Sequence, residues 1–457
     1  MKRPVPAPLR GRDCATVHRL LAALCGPPVV AAVLLAGGAA PVSAQHMYRG
    51  DVAHSGSTGA NAPRQLPQVK WRFATGDRIV ASPVWHDGLV IFGSDDGQVY
   101  AVDAATGTQR WMQRTGGPVS STPSVAGGRV FALSYDGRLY ALDLADGQVL
   151  WTFATGGERR FEARGLHGQQ PKHQTFADVF DVYLSSPVVA DGAVYFGSGD
   201  GHVYAVDAAS GRLRWRHRTG DVVHASPALA DGAVFVGSWD GGLYALDAAS
   251  GALRWRFQGG LDPLIFNQQG FQSSPAVAGG IVYVGSRDAH VYALDARSGA
   301  ERWRFSTGMS WVNSSPAVAH GQVVFATSDS ARWHVLDAAS GQPLQQHPTE
   351  AFVFGSPTVA AETVLMPVLN GSLQARDRAS GALLWTWRTD AARANAGWVL
   401  TPDGRFNAPW LYPGGWHDAT AHGAHRQFSV GALFGTPLVV DGVVYIGSAD
   451  GYLYALK

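Results

Sequence analysis

The sequence predicts an all-β fold: an eight-bladed β-propeller of four-stranded antiparallel blades, closed by an N-terminal strand that completes the last blade. Three observations predict it. A Ser-Pro or Thr-Pro pair recurs eight times, each unit of about 40 residues carries four strand signals, and a fourth-strand sequence stands displaced at the N-terminal end of the array.

The pairs begin at Ser82, Thr122, Ser186, Ser226, Ser274, Ser315, Ser356 and Thr436, at spacings of 40, 64, 40, 48, 41, 41 and 80 residues. The unit from Ser226 shows how a blade is spelled. Ser226-Pro227-Ala228-Leu229 begins the first strand and Asp231-Gly232 turns the chain. Val234-Phe235-Val236-Gly237 is a short apolar second strand. Asp240-Gly241 is a hairpin turn, where positive φ selects Gly, Asn or Asp. Leu243-Tyr244-Ala245-Leu246 is the third strand. After Ser250-Gly251 the alternating Leu253-Arg254-Trp255-Arg256-Phe257 is the fourth.

The fourth-strand Trp recurs at Trp111, Trp151, Trp215, Trp255, Trp303 and Trp385, with Gln345 in the sixth unit. At one per blade these rings are expected to pack between neighbouring sheets with their N–H groups bonded to a neighbour. The eighth unit ends at Lys457 before a fourth strand, and Trp71-Arg72-Phe73-Ala74-Thr75-Gly76 matches Trp151-Thr152-Phe153-Ala154-Thr155-Gly156. The N-terminal strand is therefore expected to complete blade 8 and leave no open edge. The Asp-Gly turns lack calcium-ligand spacing and read as hairpin turns.

Residues 1–44 read as a secretory signal peptide: Lys2, Arg3, Arg10, Arg12 and Arg19, then an apolar run from Val29 to Ala36, then Val42-Ser43-Ala44 as an A-x-A-like cleavage site. The run is too short to span a bilayer, so no transmembrane segment is expected after cleavage, and a periplasmic monomer is expected. Cys25 follows Leu24 rather than a small residue, which argues against a lipoprotein. Cys14 and Cys25 both lie in this segment, so the remainder has neither thiol nor disulfide. Without the segment the chain carries 31 basic and 34 acidic residues, a net charge of −3, which disfavours nucleic acid as a partner. Residues 45–70 read as an N-terminal lead-in and 71–457 as the propeller.

The run Gly-Ser-x-Asp-Gly-x-Leu-Tyr-Ala-Leu-Asp-Ala-x-Ser-Gly-x-x-x-Trp from Gly237 to Trp255 resembles the repeat of the pyrroloquinoline-quinone (PQQ) type. That repeat occurs in quinoprotein alcohol dehydrogenases and in BamB-type outer-membrane assembly lipoproteins. The resemblance covers residues 71–457 apart from insertions and implies the fold. For function it implies either of two classes. One is a non-catalytic envelope binding or scaffold protein. The alternative is a PQQ-dependent dehydrogenase with calcium, whose quinone packs against a disulfide between adjacent cysteines. The absence of cysteine after residue 44 disfavours the second, and no cofactor is expected. A hydrolase or lyase acting on glycans would need a nucleophile or carboxylate pair, and none stands out.

Three insertions, at 157–185, 261–273 and 391–435, all fall in the link from one blade's fourth strand to the next blade's first. Those links share one face, so that face is expected to be the functional one. The first insertion interleaves Arg159, Arg160, Arg164, His167, Lys172 and His173 with Phe161, Phe176 and Phe180, which suits a small anionic or carbohydrate-like ligand, or an envelope protein; plain salt-bridged surface is the alternative. The last contains Trp398, Phe406, Trp410, Tyr412, Trp416 and Phe428. His417, His422 and His425, beside Asp418, are candidate metal ligands without a recognised spacing, with solvent-facing loop histidines as the alternative.

The residue two before each Ser/Thr-Pro is expected at the mouth of the central channel. These are Val80, Ser120, Leu184, His224, Gln272, Asn313, Phe354 and Phe434. His224, Gln272 and Asn313 come from consecutive blades and are expected to form a polar, ligand-binding arc, with Trp311, Arg160 and His173 as further contacts.

Overall fold

The computed structural model describes residues 45–262, 270–407, 411 and 417–457, and the side chains of 417–419 are not among those described. Eight four-stranded antiparallel sheets form the blades. Blade 4 has strands Ala228–Ala230, Ala233–Gly237, Gly242–Asp247 and Leu253–Gln258. Its middle strands are buried on both faces, because each is covered by a neighbouring blade on either side. Its fourth strand alternates at the rim. In blade 8, Val69–Ala74 pairs antiparallel with Tyr452–Leu456, with Trp71 opposite Ala455 and Phe73 opposite Leu453. The ring is closed by its N-terminal strand.

The repeat residues make the contacts between blades. The indole N–H of Trp255 donates to the carbonyl of Ala296 in blade 5 at 3.0 Å, and the same bond recurs from Trp71, Trp111, Trp215 and Trp303. Gln345, the exception of blade 6, keeps the bond with its amide, donating to the Ala379 carbonyl at 2.9 Å. The rings of Trp71, Trp111, Trp151, Trp215, Trp255 and Trp303 each lie on a turn glycine of the next blade. A Cβ on Gly251 (φ +73°) would come within 2.6 Å of the Trp215 ring, so both its backbone and its bareness are required.

The Asp of the Asp-Gly turn does more than turn the chain. Asp240 accepts from the Tyr244 hydroxyl and the Gly242 amide within its own blade, and from the Gly220 amide at the end of blade 3, at 2.5–2.7 Å. Asp96, Asp136, Asp200 and Asp288 repeat the junction.

The residues preceding Val69 form more than a lead-in. Residues 45–58 run around the inner strands at one end of the channel. Carbonyls of Gln45, His46, Val52, Ala53, Ser55 and Gly56 accept from first-strand amides of Trp85, Val125, Leu229, Val277, Val318 and Val359. Buried Arg49 donates to the Pro357 and Pro316 carbonyls, and Tyr48 reaches the hydroxyls of Ser315 and Ser356. With the Gln45 amide donating to the Val439 carbonyl of blade 8, this strap bonds to seven blades and stops the channel. No helix among the described residues is long and apolar enough to cross a membrane.

Candidate functional site

The opposite end of the channel is covered by the insertions. Every residue two before a Ser/Thr-Pro lines one void with seven of the eight Ser/Thr residues and Tyr48, but that void is only about 30 Å³, room for a few waters. Side chains from the first and third insertions fill the mouth. Phe180, Val182, Tyr183, Ala424 and Phe428 form one cluster with Val80, Phe354 and Phe434.

Two of the three arc residues, His224 and Gln272, are bonded to the cap. His224 is buried between two acids of the first insertion: its Nδ1 lies 2.8 Å from Asp181 and its Nε2 lies 3.5 Å from Glu158. Burial opposes a charge on this imidazole, but Asp181 and Glu158 outweigh it and push its pKa up to about 9. Gln272 donates to the Phe180 carbonyl and accepts from Arg287. Asn313 lines the void, its amide atoms without a hydrogen-bond partner in the structure. His224 and Gln272 thus meet residues of the first insertion, while Asn313 faces the void.

Arg287 is the cap's main clasp. It is fully buried between the rings of Trp239 and Trp311, at 4.3 and 4.5 Å, and its guanidinium pairs with Asp178 at 2.6 Å. Asp178 also meets His167 at 2.9 Å. Burial alone would raise the Asp178 carboxyl, but Arg287 and His167 reverse this and hold it below the usual carboxylate range. Phe161 stacks on Trp239 at 4.4 Å. Arg287 and Trp239 occupy the x of Ser-x-Asp, the tip of the hairpin between second and third strands. That tip reaches the mouth in each blade, and a bulky or charged x was the available signal.

A pocket of about 500 Å³ opens on this capped face. Trp311, Phe180, Phe352, Phe354 and Met309 line it with Asp262, Asp329, Ser328, His167 and Thr420. Trp311, predicted from sequence, is in this wall, and its indole N–H donates to Asp262. Arg160 and His173 line neither this pocket nor the void: Arg160 is half-buried and His173 lies exposed in the first insertion. Of the basic residues expected to draw an anion, Arg159 pairs with Asp221 and His167, in the pocket wall, with Asp178.

The candidate metal ligands lie on a helix, His417–Ser429, not on a loop. His422 and His425 are exposed on it, and the His417 side chain lies outside the described residues. Among the described residues no group of three potential ligands is positioned for a metal.

Comparison with known proteins agrees with this architecture. The profile of the family described as outer membrane protein assembly factor BamB matches residues 50–176, 169–306 and 287–404. BamB of Yersinia pestis is 30% identical over 159 residues, 31% of this chain and 40% of that protein. BamB of Xanthomonas campestris pv. campestris is 30% identical over 153 residues, 33% of this chain and 36% of that protein. The chain therefore matches less than half the length of either curated relative. The BamB structure from Moraxella catarrhalis aligns over 86% of this chain and 98% of its own, with a TM-score of 0.59 at 15% identity. A europium-containing methanol dehydrogenase aligns over 91% and 98%, with a TM-score of 0.64 at 13% identity. At such identities the two structures speak to the fold alone. The profile match over most of the closed ring assigns the family: this chain belongs to the BamB family of PQQ-type repeat propellers.

Proposed function

We propose that the protein is exported and works in the cell envelope as a monomeric, non-catalytic binding or scaffold propeller, with the capped face as its working surface. Its family carries the name of an outer membrane protein assembly factor, and that role is the one we carry over. The observation that bears the most weight is the filled channel: a strap stops one end and an aromatic cap seals the other, leaving about 30 Å³ between them.

The fold's other class requires PQQ with calcium, and the residues present do not fit that group. The channel space falls far short of a tricyclic quinone. The acids near the mouth are already committed, Asp178 to Arg287 and Asp181 and Glu158 to His224, rather than free to hold calcium. No cysteine follows residue 44. The test is absorbance of the purified protein with PQQ and calcium, alongside dye-linked alcohol oxidation. No stoichiometric uptake and no oxidation are expected; either one would sink the binding reading.

A further inference from the structure

The pocket beside Trp311 has a chemistry that selects its occupant. Its described walls carry five apolar or aromatic side chains and two carboxylates, Asp262 and Asp329. His167 is the basic residue among these walls, and its Nε2 is held against Asp178. Arg287 lies behind Trp311 and is neutralised by the same acid. Aromatic rings with carboxylates beside them attract a cation, because ring faces are negative and the acids add charge.

The rim points to a polypeptide source. Met309 lines the pocket yet is 60% exposed, and Leu261, next to Asp262, is 50% exposed. Two exposed apolar side chains beside an acidic aromatic pocket suit a basic side chain flanked by an apolar one. Resting on the binding function proposed above, we infer that the pocket takes the guanidinium or ammonium of a basic side chain on a partner polypeptide, with an adjacent apolar residue seated on Met309 and Leu261.

Fluorescence anisotropy with two labelled peptides, acetyl-Gly-Arg-Phe-Gly and acetyl-Gly-Glu-Phe-Gly, tests this on the full chain. The arginine peptide should bind, more weakly as salt rises. Asp329→Asn should weaken it about ten-fold, as expected for loss of a charged partner, and Met309→Ser should weaken it as well. Because Asp329 is exposed, its variant should melt with the parent, so lost binding is not lost folding. Four results would each overturn the assignment: no binding of the arginine peptide, equal binding of the glutamate peptide, unchanged affinity in Asp329→Asn, or displacement by maltotriose. Spermidine competing as tightly as the peptide would overturn the polypeptide source. Failure here in a protein inert with PQQ sinks only the cation assignment, whereas quinone-dependent oxidation sinks the binding function beneath it.

Discussion

Asp240 shows how much of this ring rests on single side chains. One carboxylate closes a hairpin, holds a Tyr hydroxyl and grips the amide of the preceding blade's last strand. Such a residue reads from sequence as a turn former, and only the register of two blades reveals the third bond. His224 is a second case, with a consequence for pH. Its folded pKa of about 9 lies above the ordinary 6.5 because Asp181 and Glu158 prevail over burial. A raised pKa contributes stability in full below about pH 6.5, declining across the interval and gone above about 9. Urea unfolding from pH 6 to pH 10 should therefore show the parent losing on the order of 3 kcal/mol more than His224→Gln over that window. Parallel pH profiles for the two proteins would show that the imidazole is not charged in the fold. His224 was legible from its place before Ser226, but its partners were not, since Glu158 and Asp181 lie in an insertion with no repeat to align against. The Trp residues were legible because they repeat. Arg287 was missed because it occurs once, at a position the repeat leaves open.

At the scale of elements, two irregular segments finish what the strands begin. The closing strand Val69–Ala74 could be placed by matching it to Trp151–Gly156. The strap of residues 45–58 could not, because its bonds run through backbone carbonyls to first-strand amides and leave no side-chain period. Their losses should differ. Deletion through Gly76 opens blade 8 and exposes the edge of Tyr452–Leu456, so aggregation or a large fall in melting temperature is expected. Deletion of 45–58 alone keeps the closed ring but frees seven first strands, so a soluble protein of lower melting temperature is expected. Light scattering and thermal melts of both variants check this, and a deletion through Gly76 as soluble and stable as the parent would refute the closure.

At the scale of the molecule, the repeats carry the fold and the insertions carry the site. The blade count and closure follow from eight Ser/Thr-Pro pairs and one displaced strand, whereas the insertions add His167, Phe180, Asp262 and Thr420 to the pocket wall. The capped face could be inferred from link type, while the sign of its charge could not, because ion pairing withdraws Arg159 and His167 from it. A channel stopped at both ends leaves the outer surface of the cap as the place to meet a partner. Site-specific photo-crosslinking in intact cells tests that most directly, with the reactive group at position 309 on the capped face or at position 231 in an exposed turn on the opposite face. A discrete crosslinked envelope protein from 309, lost in Asp329→Asn, with none from 231, is the expected result; crosslinking from 231 but not from 309 would contradict the assignment of the working face.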